Sequence, residues 1–558
     1  MTEKREPLKT VRPSEYQPPL PIDRLILEQS PEEEAVPMDV LFVGGGPAGL
    51  AGAIELSRLV VQDGKDGGSL GALEIGVLEK SESLGEHCLS GAIVNPAPFR
   101  ELFPEVPEGD LPFRRQAPKD RVYMLSERGY WRIPTPPTMH NKGNFVASIC
   151  EIVRWMGERA EAAGVNVFTG FPADSLLVDG SRVLGVRTTP AGLDRAGKPG
   201  SGYMPPTDVT AKVTVLTEGS RGALAQAYLN WQGIRSPNPQ IYALGVKELW
   251  QVRRPLPNVI HTLGWPLPKD AFGGSWLYPM ADDLISLGLV VGLDYRQTTL
   301  DVHMLLQRLK RHPLVAPFLE NGELVEWGAK TIPEGGYYSL PERLHGDGVL
   351  IAGDAAGFVD VPSLKGIHYA MQSGIFAARV VFDALKGDDT SGAGLAGYDA
   401  LVRDSYVGKD LYKTRNMRLA FKSGLYGGGL KAALMTATRG ALFGSRIVVA
   451  EDAEERREVT RPDEFTPDGK RTVSKVDAVF RSGNTTRDDI PSHLIVGEDV
   501  PAEVADMYAH MCPAGVYESE GGELVVNAPN CIDCKATDIL GPRWTPREGG
   551  SGPSYKRM

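Results

Sequence analysis

The sequence predicts an α/β protein with α+β parts, and three observations predict it. An apolar run, 38–43, leads directly into Gly44-Gly45-Gly46-Pro47-Ala48-Gly49 and then into helix-forming sequence. A late apolar run, 348–352, ends in Gly353-Asp354 before a second helical stretch, 366–385. Between the two lie many short strand-like runs cut by glycine and proline, and three of the five cysteines gather near the C-terminus. The first two observations describe a Rossmann-like domain split by an inserted, interwoven sheet. The third describes a small cysteine-bearing domain at the end.

The elements follow in order. Residues 1–37 are proline- and glutamate-rich and read as an irregular lead-in. Residues 38–43 read as a buried strand, 44–49 as a turn and 50–61 as a helix. A glycine-rich loop, QDGKDGGSLG, precedes a second strand over 73–78 that ends at Glu79. The middle, 100–340, holds strands such as 181–188, 209–217 and 284–293. Residues 451–500 are charged and read as a linker or extended arm.

Bulk properties exclude several classes. The 558 residues allow two or three domains. A formal net charge of −11 argues against a nucleic-acid partner. Five cysteines are too few for a secreted disulfide framework. The charged, proline-rich N-terminus has no apolar core of a secretory signal, and no run of about 18 apolar residues suggests a membrane span. Membrane contact, if present, is expected to be peripheral.

The glycine turn carries the first chemistry. Gly44 permits the tight turn, Gly46 lets backbone approach a pyrophosphate, and Gly49 permits close helix–strand packing. The helix N-terminus supplies N–H groups and positive dipole for phosphates. Glu79, ending the second strand, suits a ribose diol, and the glycine-rich loop explains its long spacing from the turn. Gly353-Asp354 points to FAD rather than NAD, with Asp354 placed to hold a ribityl chain; a helix N-cap is the plainer role for it. Lys365 and Gly366 open a helix whose positive end suits the flavin pyrimidine ring, and His368 lies on its first turn.

The C-terminal cysteines carry the second. Cys512-Pro513 and Cys531-x2-Cys534 match part of an iron–sulfur pattern with a C-x2-C-x2-C run and a separate Cys-Pro. The next ligand in the run falls at Thr537. Three thiolates can hold a three-iron cluster, or a four-iron cluster completed by water, Thr537 or Asp538. Zinc on His510, Cys512, Cys531 and Cys534 is a second reading, and a metal-free domain a third. Cys88 is expected beside the flavin, and Cys150 stays open as a further ligand.

Several stretches together resemble the electron-transfer-flavoprotein:quinone oxidoreductase family, including the type fused to a small ferredoxin-like domain. They are Leu78-Glu79-Lys80, Leu84 through Ala92 (LGEHCLSGA), His261 through Leu267 (HTLGWPL), Phe272-Gly273-Gly274-Ser275, Gly288 through Tyr295, Glu334-Gly335-Gly336, Asp354 through Gly374, Cys512 through Glu518 and Asn530 through Lys535. The resemblance runs from about residue 38 to the C-terminus. It implies a glutathione-reductase-type FAD-binding Rossmann-like domain, an interwoven mixed-sheet quinone domain and a ferredoxin-like iron–sulfur domain. It also implies single-electron transfer from reduced electron transfer flavoprotein, through the cluster and FAD, to a membrane quinone. Lys80, Ser90 and Gly91 join the cofactor-binding set by this resemblance, and Gly273 and Gly274 become the quinone-binding pair. Phe272 stands where the family leads one to expect tyrosine, and Ala536 where it tends to carry a hydroxyl.

The divisions expected are 1–37 lead, 38–110 first FAD part, 111–335 quinone domain, 336–400 second FAD part, 401–450 membrane-facing helices and 451–558 iron–sulfur domain with its arm. Residues 415–446 carry Arg415, Arg418, Lys422, Lys431, Arg439 and Arg446 and no acid. Leu430, Leu434, Ala437 and Ala441 share one side at helical spacing, so the segment reads as an interfacial helix or as a helix packed on the core. The location expected is the cytoplasmic face of the inner (plasma) membrane. Other readings are an FAD-dependent hydroxylase, a prenyl reductase, and a paralogue that docks the donor flavoprotein without turnover.

Overall fold

The computed structural model describes residues 9–438 and 440–558; Arg439, one of the cations named above, and residues 1–8 of the lead-in lie outside them. The early elements used below are β1 (Ile26–Glu28), β2 (Val36–Val43), α1 (Pro47–Lys65), β3 (Ile75–Glu79), β4 (Asp120–Leu125), β5 (Tyr130–Ile133) and α2 (Ile149–Ala162). Four strands return toward the nucleotide fold: β6 (Asn166–Thr169), β7 (Ala173–Asp179), β8 (Arg182–Thr188) and β9 (Asp208–Leu216). Then come β10 (Tyr242–Gln251), β11 (Val259–Gly264), β12 (Gly273–Pro279), β13 (Leu284–Gly292), β14 (Glu323–Pro333) and β15 (Val349–Ile351). The last helices used below are α3 (Ile367–Lys386), α4 (Gly424–Ala437), α5 (Lys475–Arg481), α6 (Ala502–Met511) and α7 (Ala536–Leu540).

Two sheets carry the site. The first has the order β6-β3-β2-β9-β8-β7-β1, with β15 also alongside β9. Its centre is parallel: β2 pairs β3 and β9, and β9 pairs β15, all in parallel register. Val40, Leu41 and Phe42 of β2 are fully buried, which explains an unbroken apolar run rather than an alternating one. The second sheet, β14-β10-β13-β12-β11-β4-β5, is antiparallel apart from the β11–β4 pair.

Helices α1 and α3 cross over the first sheet at very close range. A Cβ at Gly374 would sit 2.0 Å from the Ala48 carbonyl oxygen, so the crossing depends on the missing side chain. The strands and helices fall within a few residues of their expected limits. Helix α1 begins earlier, at Pro47, because proline at the first helical position has no N–H to lose.

Two expectations are corrected. The lead-in is not wholly irregular, because β1 pairs in parallel with β7. The stretch 451–500, expected as a linker or extended arm, is anchored to the body at Asp452 and Arg457. The Asp452 carboxylate accepts the Tyr242 N–H at 2.7 Å. The fully buried Arg457 guanidinium donates to the carbonyls of Leu293 and Tyr295 at 2.6 and 2.9 Å. A charged sequence reads as solvated, but here the charges satisfy backbone groups that would otherwise be buried unpaired.

Candidate active site

One deep cleft opens at the carboxyl ends of β2, β3 and β15. Gly44, Gly46, Glu79, Lys80, Ser90, Gly91, Asp354, Lys365 and Gly366 all line it. Gly44 has φ of 117°, and a Cβ there would lie 2.5 Å from the Thr217 carbonyl oxygen. Gly46 faces open space, leaving the N-terminus of α1 accessible to a phosphate. Gly49 and Gly353 stand behind the cleft. A Cβ on Gly49 would come within 2.1 Å of the Gly44 carbonyl oxygen, so its role is close helix–strand packing.

Charged groups at the cleft are fixed in place. Glu79 accepts the Gly45 N–H at 3.0 Å through one oxygen and the Ser81 N–H and hydroxyl at 2.9 Å through the other. Burial pushes the Asp354 carboxyl up to about 6, outweighing the opposing charge of Lys330. A carboxyl facing a cleft without an ion-pair partner suits hydroxyls as ligands. Lys365 donates to the Ser363 carbonyl at 2.8 Å, and burial lowers its ammonium pKa against the pull of Asp360. His368 is buried behind the cleft, stacked near Tyr406, and burial pushes it down to about 3. Tyr278 lines the cleft with its hydroxyl 2.6 Å from His261 Nε2, and burial also holds His261 at about 3 and therefore neutral.

The cysteine corner adjoins this cleft. Cys512 caps the C-terminus of α6, Cys531 and Cys534 precede α7, and all three are buried. Burial raises each thiol, Cys531 to about 12. The Tyr517 hydroxyl faces Thr537 and the three cysteines, and is buried with no well-formed hydrogen bond. His493 is buried with both ring nitrogens unpartnered, and it, Cys531 and Asp533 bring ligating atoms within 4.8 Å of one another. The three thiols lie within charge range of one another, and the orphaned donors beside them fit a cluster whose sulfur atoms accept hydrogen bonds.

His510 is not brought into this set, which corrects the zinc reading. Its Nδ1 lies 2.7 Å from the Asp506 carbonyl oxygen, and its ring lines an outer groove. Cys88 lines the cleft, and the Cys150 thiol donates to the Cys88 carbonyl at 3.2 Å instead of joining the three.

Cleft and corner share a wall built from charges that the motifs did not reveal. Asp533, inside the Cys531–Cys534 loop, pairs with Lys80 at 2.5 Å and Arg547 at 2.9 Å. The Trp544 indole N–H donates to it at 3.0 Å, and Lys330 donates to its backbone carbonyl at 3.1 Å. Burial opposes ionisation of Asp533, but Arg547 and Lys80 prevail and hold it well below the usual carboxylate range. Lys535 lies 3.6 Å from the centre of the Trp544 ring; burial and then Lys80 push its ammonium down to about 7. Lys330, Lys535 and Trp544 line the cleft along with Lys80. The sequence signal was an acid between two cysteines; Trp544 and Arg547 follow it within 14 residues, but Lys80 and Lys330 lie hundreds of residues away.

Gly273 and Gly274 start β12 opposite Val291 and Val290, and the Val290 side chain lines the cleft. Phe272 packs against Phe421 with ring centres 5.0 Å apart and planes tilted by 60°, and the Arg418 guanidinium lies 4.0 Å from its ring centre. Arg418 is buried between Glu334 at 2.6 Å and Asp294 at 3.0 Å, and Lys422 bridges Asp294 and Glu455. On α4, Tyr426, Leu430 and Leu434 face outward, with Leu430 66% exposed. The apolar stripe therefore does not pack on the core.

Solved structures share this architecture. A geranylgeranyl bacteriochlorophyll reductase-like protein from Thermoplasma acidophilum superposes with a TM-score of 0.56 at 18% identity, covering 73% of this chain and 96% of that one. A flavin-dependent brominase gives 0.51 at 19% identity, covering 73% and 94%. With the cleft and its cysteine wall, the fold defines an oxidoreductase of the FAD-binding Rossmann-like class that carries an iron–sulfur domain. The family model "ETF-QO, ubiquinone-binding" matches residues 242–332, and "Electron transfer flavoprotein-ubiquinone oxidoreductase, 4Fe-4S" matches 469–556. The chain belongs to the electron transfer flavoprotein–ubiquinone oxidoreductase family. Mitochondrial members from Homo sapiens and Caenorhabditis elegans are 36% and 37% identical, covering 94% and 93% of this chain and 90% and 92% of their own. The hydroxylase and prenyl reductase readings are not favoured.

Proposed function

We infer that this chain takes single electrons from reduced electron transfer flavoprotein and delivers them to a membrane quinone. The observation that carries this reading is the shared wall: Lys80, Lys330 and Lys535 line the nucleotide cleft, and two of them bond the cysteine loop directly. FAD and an iron–sulfur cluster supply the redox chemistry when bound. The chain's own residues do the placing. The α1 N-terminus and Gly46 receive the pyrophosphate, Glu79 the ribose and Asp354 the ribityl hydroxyls. Cys512, Cys531 and Cys534 hold the cluster, with Thr537 at the place of a fourth thiolate.

Quinone reduction consumes two electrons and two protons, and the product belongs in lipid. Gly273 and Gly274 are the candidate quinone contacts, because they back onto cleft-lining Val290 and continue into the loop tied to α4. The Leu425 N–H donates to the Lys269 carbonyl at 3.4 Å, joining that loop to the helix with the outward apolar face. Exposed Tyr426, Leu430 and Leu434, with Lys431 nearby and no acid over 415–446, suit an anionic lipid interface. No described helix is long and apolar enough to cross a membrane. Peripheral attachment at the cytoplasmic face of the inner membrane follows from this reading. The test is steady-state reduction of a short-chain quinone by reduced electron transfer flavoprotein with the purified chain. Turnover supports the reading; binding of the donor without turnover favours a docking paralogue.

A further inference from the structure

A second exposed apolar patch lies over the cysteine corner, on the opposite charge background from α4. Helix α5 buries Ala478 and Val479 but leaves Val476 60% and Phe480 80% exposed. These two are one helical turn apart and so share a face.

Val476 of this patch lines a groove next to the Cys512 loop, together with Gly515, Tyr517, Glu518 and Glu520. Val476 Cγ2 comes within 4.0 Å of the position a Cβ would take on Gly515, three residues after Cys512. Tyr517 forms part of the groove, and its far end, the hydroxyl, faces the three cysteines.

Charge selects the occupant. Asp506, Glu518 and Glu520 line the groove; on α5 Asp477 and, beside Phe480, Arg481 are exposed. The groove's lysine, Lys475, is neutralised by Asp301 at 2.8 Å. An anionic lipid surface is repelled here, whereas a protein with cations around an apolar spot is attracted. Redox partners form small, transient interfaces of this kind.

We propose that Val476, Phe480 and the acidic groove beside them dock the reduced donor flavoprotein through a basic-rimmed apolar patch, so that electrons enter at the Cys512–Tyr517 corner. The proposal rests on the electron-transfer reading above and adds the surface at which it begins.

The experiment compares the wild-type chain with Phe480→Asp and Glu520→Lys in quinone reduction driven by the reduced electron transfer flavoprotein of the same organism, in detergent. Both sites are exposed, so folding is checked simply by flavin and iron content. The expected result is a KM for the flavoprotein raised about tenfold for Phe480→Asp, with kcat kept and Phe480→Leu near wild type. Raising the salt should weaken the wild type toward Glu520→Lys. An unchanged KM in both charged variants overturns the docking surface. So does loss of pelleting with vesicles containing anionic lipid at unchanged KM, which assigns the patch to the bilayer. Failure of the wild type to turn over at all instead overturns the electron-transfer reading itself.

Discussion

The nucleotide cleft and the cysteine corner share a wall but are built on different principles. The cleft is made by backbone: glycines at strand ends, a helix N-terminus and a carboxylate that caps its own turn. The corner is made by side chains from three distant segments, with Lys80 and Lys330 reaching Asp533 and Arg547 of the C-terminal stretch. Backbone sites tolerate change everywhere except at the glycines. Charge-built sites fail when any one partner is removed, because the rest are left buried and unpaired.

The sharpest way to break the comparison is to remove one cofactor region at a time. Cys531→Ala should abolish bound iron while flavin stays, read as iron-to-flavin ratio. Gly44→Val should do the reverse, because its φ of 117° and the Thr217 carbonyl leave no room for a side chain. Loss of both cofactors in either variant would show that the two regions fold as one unit. Next in size, Asp533→Ala should cost about 3–5 kcal/mol in denaturant unfolding, since it strands the buried Arg547 guanidinium and removes the partner of half-buried Lys80.

A smaller effect comes from Asp294, which burial opposes but Arg418 and Lys422 hold well below the ordinary carboxylate range. Its folded pKa is lower than its unfolded one, so its stabilisation is present above about pH 4 and is lost as pH falls toward the folded value. Asp294→Asn should therefore flatten the acid limb of a stability-versus-pH curve. The smallest effect on stability is expected at Leu430→Ser, within about 0.5 kcal/mol because the side chain already faces outward, yet vesicle pelleting should weaken.

What the sequence made legible follows the same division. β2, α1, β3 and α3 were readable because glycine spacing and apolar periodicity are local signals. The cysteine candidates were also local signals, because Cys531 and Cys534 are neighbours and Cys512 carries its proline. The wall was not readable, since Lys80 and Asp533 are 453 residues apart and nothing local announces their pairing. Residues 451–482 misled for the related reason that a buried Arg457 looks in sequence like a solvated one. His510 misled through proximity in sequence to Cys512, while His493 carried no spacing signal at all.

The central claim is that three thiolates hold an iron–sulfur cluster against the flavin cleft. Iron and sulfide analysis of anaerobically purified protein, with EPR before and after reduction, tests it most directly. The account predicts about three to four irons per flavin, with a signal as isolated from a three-iron cluster or on reduction from a four-iron one. Protein that holds flavin but no iron, or zinc in its place, would contradict it.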